Sequence, residues 1–318
     1  MLNPDNPAFG IDHPLIAVND IDAVRQRLCA IGFNMTPVGK HPWGTSTSLA
    51  VFANCLLEIV GIHDERLLDE KPTADFRFGR HVHRHLQERE GVALTALHSL
   101  DMKADLERAL RSGFEVAGQL EFGRDVSLPD GRAERTHTTL ATLPDRTHPR
   151  LSFFLCRQHR RDLVEVPGWM EHANAVVGIA GITILAHASL HESLAQRLGA
   201  LYGEQAVAAG GYDLLTANGK LSIRTREAVE EAYGPLPEAI DSDLSPAIVA
   251  MTFRSEDWLR TTAALAVSGL AVRDHDGLTS LVDARVCGNT FLSFESSSQS
   301  AGSRRMEKQR GIREDVGA

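Results

Sequence analysis

The sequence has few cysteines and none at the spacing of a metal or redox motif. Its 318 residues include four cysteines, scattered along the chain without a CxxC pair. The four positions, each in an apolar or strand-like segment, are Cys29, Cys55, Cys156 and Cys287. Such cysteines are typical of buried free thiols in a reducing compartment, so we expect a cytoplasmic protein without disulfides or structural zinc.

Other features are missing as well. There is no excess of basic residues, because the formal net charge is -9 with acids and bases interspersed, which argues against nucleic-acid binding. No apolar run reaches the length of a membrane span, and the polar first residues do not resemble a signal peptide. No glycine-rich phosphate loop or Ser/His/Asp order stands out. The remaining expectation is a globular protein whose partner is a small molecule, and a homodimer is compatible with it.

A repeated order of elements is the main positive signal. Ile11–Val18 has the apolar pattern of a strand, and Asp20 can cap a helix over Ile21–Ile31 that ends at Gly32. Strand-like segments follow at Thr45–Phe52 and Cys55–Ile62. The first unit is therefore a strand, a helix and then further strands.

The same order starts again at three later points. These are Val92–Leu97, Gly181–Ala186 and Ala247–Phe253, and Gly113-Phe114 stands where Gly32-Phe33 stands in the first unit. We therefore predict an α+β fold of four βαβββ modules in two pairs. The first pair covers residues 9–160 and the second, expected to be structural, covers 176–296. Residues 297–318 lack apolar periodicity and are predicted to form a disordered tail.

Several segments resemble one known superfamily. They are IDHPLIAVND at 11–20, HPWGT at 41–45, LLEI at 56–59, FFLCRQH at 153–159 and HANA at 172–175. Together they are similar to the vicinal oxygen chelate superfamily, in its glyoxalase-like subgroup. That resemblance implies paired modules curling into an open cup, where a divalent metal binds two neighbouring oxygens of the substrate. Its members include isomerases, lyases, extradiol dioxygenases and drug-sequestering proteins, so the fold leaves the reaction open.

His13 and Glu58 are the leading metal-ligand candidates. Alternation along a strand puts His13 on the same face as Leu15 and Ala17. Glu58 stands in an apolar run, where a lone carboxylate is costly to bury and needs a metal, an ion pair or a hydrogen-bond network. Imidazole with carboxylate suits iron, manganese, zinc, nickel or cobalt. The alternative is a core histidine beside a glutamate that pairs with an arginine.

The third ligand is less well defined. His98 lies on a predicted strand of the second module and is our choice, although a capping or surface histidine is the alternative. In the second half the positions that match His13 are Thr183 and Ala250, which are not metal ligands. The chain thereby departs from the paired-domain extradiol dioxygenases, which keep their iron ligands in that half.

Other histidines allow additional roles. His41 precedes Pro42 and Gly44, which would hold a loop in a defined shape at the cup mouth. It is a candidate for substrate contact and catalysis, and an ordinary turn is the alternative. His81, His83 and His85 suggest a metal cluster, but the interleaved arginines favour a solvated helix or linker.

The expected function is that of a metal-dependent isomerase or lyase. A metal on His13, Glu58 and a third group such as His98 would stabilise an enolate or alkoxide, and Glu58 could also act as the base. Two alternatives stay open at this point. One is an atypical Fe(II) extradiol-type dioxygenase, and the other is a metal-free protein that binds or sequesters a small molecule.

Overall fold

The computed structural model describes residues 9–202, 205–241, 245–274 and 277–297. Within them the strands are β1 His13–Ala17, β2 Gly39–Lys40, β3 Thr45–Phe52, β4 Cys55–Ile62, β5 Gly91–His98, β6 Gly118–Phe122, β7 Asp125–Ser127, β8 Ala133–Arg135, β9 Thr138–Leu143, β10 Phe153–Gln158, β11 Val176–Leu185, β12 Gln205–Ala208, β13 Gly211–Leu215, β14 Lys220–Arg224, β15 Ala247–Ser255, β16 Val272–Asp274, β17 Thr279–Val282 and β18 Phe291–Ser296. The α-helices are α1 Ile21–Ala30, α2 Phe78–Glu88, α3 Met102–Arg111, α4 Pro167–Met170, α5 Ala188–Tyr202, α6 Arg226–Tyr233, α7 Glu238–Asp241 and α8 Trp258–Val267. Short 3₁₀ helices lie at Glu65–Leu67, Pro149–Leu151, Arg161–Leu163 and Ala284–Val286.

The strands form two large sheets with matching topology. The first sheet has the order β2-β3-β4-β1-β5-β10-β9-β6, and the second has the order β12-β13-β14-β11-β15-β18-β17-β16. In each sheet the first strands of two modules pair antiparallel at the centre, and each also pairs parallel with the last strand of its own module. The predicted fold, four βαβββ modules in two pairs, is confirmed.

The module helices begin and end where local chemistry favours it. Asp20 accepts a hydrogen bond from the backbone N–H of Ala23 at 2.9 Å, which satisfies a free amide in the first turn of α1. Asp101 and Asp257 cap α3 and α8 in the same way. Gly32 follows α1 with φ +90°, a conformation that a side chain would strain.

The two halves share one apolar core. Phe33, just after α1, packs its ring 5.2 Å from that of Phe253 and 6.0 Å from that of Phe294, both in the second sheet. Asn218, from the second half, donates through its side-chain amide to the carbonyl oxygen of Ile11 at 2.8 Å. Burial of aromatic surface on both sides of this contact stabilises the two halves together.

The side chains of α6 pack against the second sheet at the position that matches His13 in the first sheet. Thr183, which matches His13, has its hydroxyl 2.9 Å from the hydroxyl of Tyr233 at the end of α6. The ring of Tyr233 stacks on Phe291 at 5.7 Å, and Val229 and Ile240 are buried in the same cluster. The structural role expected for this half stays a prediction.

Several local expectations are wrong or untested. Helix α2 is not a solvated helix, because Phe78, Val82 and His85 are buried against the first sheet. Cys29 is exposed, whereas the other three cysteines are buried. The strand β6 and the hairpin of β7 and β8 are not among the strands that the sequence predicted. The predicted disordered tail lies, apart from Ser297, outside the described residues.

None of the described helices is long and apolar enough to cross a membrane.

Candidate active site

The first sheet curls around a cavity of about 50 Å³ that is partly open to solvent. Strand alternation places side chains of β1, β4 and β10 on the same concave face, with Leu15 directly beside Glu58 in the register. The apolar part of the lining includes Leu15, Trp43, Phe78, Phe122, Leu140 and Phe154. The polar part includes His13, His41, Glu58, Arg124, Thr138 and Gln158. The cavity thus joins aromatic walls to a small set of polar groups, as ligand sites commonly do.

His13 and Glu58 meet inside this cavity. The Nε2 of His13 lies 3.3 Å from the Oε2 of Glu58, and the two residues are 4% and 6% exposed. The other carboxylate oxygen, Oε1, accepts a 2.6 Å hydrogen bond from the hydroxyl of Thr47 on β3. Glu58 is therefore fixed by one oxygen and presents the other to His13.

Asp12 lies on the far side of the imidazole. Its Oδ2 is 3.4 Å from the Nδ1 of His13, so the ring stands between two carboxylates. Burial by itself would lower the pKa of His13, but Asp12 and then Glu58 raise it, and the net pKa is above the ordinary histidine value. The pKa of Asp12 is lowered overall, because His13 opposes the effect of burial. The arrangement favours a cationic His13.

His98 lies near enough to Asp12 and His13 to feel their charges, but its hydrogen-bond partner is Arg161. The guanidinium of Arg161 donates to the Nε2 of His98 at 3.2 Å, and the Nδ1 of the same ring is buried without a partner among the described residues. Burial lowers the pKa of His98. Among the described residues no three His, Cys, Asp or Glu side chains are grouped as ligands of one ion. Catalytic zinc sites use three protein ligands, so the donors present here, His13 and Glu58, do not fit such a centre.

His41 lies at the cavity wall. Its ring stacks on Trp43 at 4.9 Å, and its Nδ1 is 2.9 Å from the hydroxyl of Thr45. Burial, followed by the charges of Arg124 and His63, holds the pKa of His41 well below the ordinary value, so the imidazole is neutral at neutral pH. Gly44 has φ +82°, and a Cβ there would collide with the carbonyl oxygen of Asp64. The catalytic role of His41 stays a prediction.

The histidines of α2 serve the helix packing. The Nε2 of His81 lies 2.9 Å from the carbonyl oxygen of Ala93 on β5, and His85 is buried beneath the helix. As expected from helical spacing, these two share a face, and His83 does not. They lie outside the lining of the cavity that holds His13.

Sequence reasoning missed several residues of the cavity. Arg124 lies in the connection between β6 and β7, and no periodicity singles it out. The ring of Trp43 lies 4.7 Å from Phe122 and 5.0 Å from Phe78, and Phe78 lies 5.4 Å from Phe154. Asp12 could have been found from the sequence, because it is an acidic residue directly before His13 in a segment with a strand pattern.

Comparison with known proteins agrees with this fold. The sequence model of the glyoxalase-like domain family matches residues 11–202. No curated protein matches the chain. A solved hypothetical protein from Staphylococcus aureus superposes with a TM-score of 0.60 at 12% identity, covering 91% of this chain and 98% of that one. A mutant of 4-hydroxymandelate synthase from Streptomyces coelicolor gives 0.58 at 12% identity, covering 92% and 93%.

A third solved structure is larger than this chain. It is a fusion of a xylose isomerase-like TIM barrel with 4-hydroxyphenylpyruvate dioxygenase, with a TM-score of 0.51 at 13% identity, covering 98% of this chain and 54% of that one. At such identities the structural likeness shows the fold alone. The family match spans more than half of the sequence, and the resemblance noted in the sequence is confirmed. The chain belongs to the glyoxalase-like domain family of the vicinal oxygen chelate superfamily.

Proposed function

We propose that the chain is an enzyme of isomerase or lyase type that moves a proton on a small oxygenated molecule. The observation that carries the proposal is the 3.3 Å separation of His13 Nε2 and Glu58 Oε2 inside a mostly apolar cavity. An acid and a base held together, away from bulk water, are the components of general acid–base catalysis.

The two side chains suit different halves of one step. Glu58, with Oε1 held by Thr47, can take a proton through Oε2 from a carbon next to a substrate carbonyl. The electron pair of the broken C–H bond then moves onto the carbonyl oxygen. The Nε2–H of His13, whose pKa is raised by its carboxylate neighbours, donates a hydrogen bond to that oxygen as it gains charge. Return of the proton to another atom gives an isomer, and loss of a neighbouring group gives a lyase product.

The superfamily resemblance implies a divalent metal, which would polarise the same oxygen. Because no three metal-ligating side chains are grouped among the described residues, no step of the proposal is routed through a metal. The proposal depends on the side chains of the cavity alone.

Two other functions have an observation in their favour. The fold likeness to 4-hydroxymandelate synthase favours a dioxygenase, the alternative already raised by the sequence. The aromatic walls around Trp43 favour a protein that binds a small molecule without changing it. Both are distinguishable from proton transfer by the same set of measurements.

The test is hydrogen exchange from substrate carbon in D₂O, followed by NMR. The probes are phenylpyruvate and its methyl ester, which offer an acidic C–H beside a carbonyl and a ring for the aromatic walls. We expect faster exchange than in buffer, and a loss of about 10²–10⁴-fold in Glu58→Gln and His13→Gln. Glu65→Gln, at a carboxylate with 75% exposure, is the matched control and should exchange at the wild-type rate.

Exchange no faster than in buffer would contradict the proposal. In that event, probe binding without exchange would support a sequestering protein. Oxygen uptake that requires added Fe(II) would support the dioxygenase.

A further inference from the structure

Arg124 lies between two cavities of the first half. It lines the cavity that holds His13 and Glu58, and it also lines a neighbouring cavity of about 180 Å³. The second cavity is bounded largely by apolar side chains, among them Val38, Val51 and Trp169. The guanidinium of Arg124 thus lies where the cavity of His13 and Glu58 adjoins the apolar second cavity.

The guanidinium of Arg124 has no partner among the described residues. Its recorded hydrogen bonds are made by its backbone, whose N–H and C=O both pair with Thr136. No carboxylate of the described chain lies within 4.0 Å of its side chain, whereas the nearby Arg135 is paired with Asp125 at 2.7 Å. Burial lowers the pKa of Arg124, and the carboxylate of Glu58 opposes that shift. An arginine stays charged in proteins, so an unpaired one that has lost part of its hydration is costly unless an anion joins it.

The surrounding chain leaves room for this side chain. A Cβ at Gly39 on β2 would collide with Nη1 of Arg124, so the glycine creates the space that the guanidinium fills. The indole Nε1 of Trp43, in the same cavity, is also a buried donor without an acceptor among the described residues. Two unsatisfied donors in one lining indicate a site prepared for an acceptor.

We propose that Arg124 binds a carboxylate of the substrate, so that the molecule acted on is an organic acid with an apolar or aromatic body. The planar guanidinium fork matches the two oxygens of a carboxylate. The carbonyl and its acidic carbon would then lie at His13 and Glu58, and the body against Trp43, Phe122 or the second cavity. The inference rests on the proposed function in taking the bound molecule as the substrate, but its test measures binding alone.

The experiment is calorimetric titration with 3-phenylpropanoate and with 3-phenylpropanamide, which differ in charge and little in shape. The wild type should bind the acid at least about tenfold more tightly, as expected for charge-assisted hydrogen bonds. Arg124→Met should lose that preference while binding the amide as before, and Arg124→Lys should keep part of it. Gly39→Ala should weaken acid binding by displacing the guanidinium. Arg135→Met, at the exposed neighbouring arginine, is the matched control and should behave as the wild type.

Equal affinity of the wild type for acid and amide, or no binding of either, would overturn the inference. A preference that survives in Arg124→Met, with unchanged melting temperature, would do the same. If 3-phenylpropanoate binding depends on Arg124 but no proton exchange occurs, the carboxylate site is supported and only the proposed reaction is contradicted. If proton exchange is equally fast with phenylpyruvate and its methyl ester, the proposed reaction is supported and only the carboxylate site is contradicted.

Discussion

Thr47 on β3 donates a 2.6 Å hydrogen bond to Glu58 on the adjacent strand β4. The bond joins the threonine hydroxyl to Oε1, and the remaining oxygen, Oε2, faces His13 at 3.3 Å. Both partners are buried, so the hydroxyl helps to satisfy a carboxylate that apolar surroundings would otherwise destabilise. The orientation of the Glu58 side chain is therefore fixed by a contact between the neighbouring strands β3 and β4.

Replacement of Thr47 tests whether the orientation of Glu58 matters for proton exchange. Thr47→Val keeps the shape of the side chain and removes the donor, which for a charged acceptor contributes about 1.5–3 kcal/mol. We expect the exchange rate of bound phenylpyruvate to fall about tenfold or more, while its KM stays near the wild-type value. Ser48→Ala is the matched control, since its hydroxyl bonds the carbonyl oxygen of Thr36 instead. A wild-type rate in Thr47→Val would show that Glu58 does not act through this geometry.

Metal content tests the predicted ligand set. With two converging donors, His13 and Glu58, we expect the purified protein to hold clearly less than one equivalent of divalent metal. Elemental analysis should then give the same content for the wild type, His13→Ala and Glu58→Ala. Stoichiometric metal in the wild type that both variants lose would contradict this and restore the predicted metal centre.

His85 makes stability depend on pH in a definite direction. Burial holds its pKa well below the ordinary histidine value of about 6.5. The unfolded chain binds a proton there that the folded chain does not, so the free energy of unfolding should fall as the pH drops below about 6.5. Each such proton contributes a slope of up to about 1.4 kcal/mol per pH unit.

His85→Leu should reduce this acid sensitivity, as measured by urea unfolding between pH 5 and pH 7. The leucine carries no proton, so it removes the titration at this position. His83→Gln, on the other side of the same helix, is the control. An unchanged pH slope in His85→Leu would mean that His85 is already protonated in the folded protein.

Phe33 should couple the two halves energetically. Its ring is 3% exposed and contacts Phe253 and Phe294 across the shared core. Phe33→Ala removes this packing and should lower the free energy of unfolding by about 3–5 kcal/mol. We expect a single unfolding transition, shifted as a whole, when fluorescence and circular dichroism are followed in denaturant. Leu259→Ala, at a side chain with 80% exposure, should change stability by less than about 0.5 kcal/mol. Two separate transitions, with one of them unmoved, would show that the halves fold independently.

Short-range pattern was enough to locate most elements. The strands predicted at Thr45–Phe52 and Cys55–Ile62 have those bounds in the structure. A short apolar run between turn residues indicates a buried strand, and a capping aspartate indicates the start of a helix. The same local rules missed β6, whose five residues alternate between half-buried and exposed and therefore carry little apolar signal.

The site was predictable only in part. As predicted, a strand of the second module includes His98, but its pattern gave no sign that Arg161, 63 residues later in the chain, would donate to its ring nitrogen. Likewise no spacing links Arg124 to the cavity. The catalytic and ligand roles of His13, Glu58, His41 and His98 stay predictions.

The sequence by itself determined the repeated βαβββ order, because that order follows from periodicities of a few residues, while the pairing of modules into a cup was implied by the family resemblance. Only the tertiary structure decided that Glu58 meets His13, that His98 is held by Arg161, and that Arg124 stands unpaired between two cavities. Those outcomes depend on how the curled sheet brings distant segments together, and such long-range contacts leave no mark in the spacing of residues along the chain.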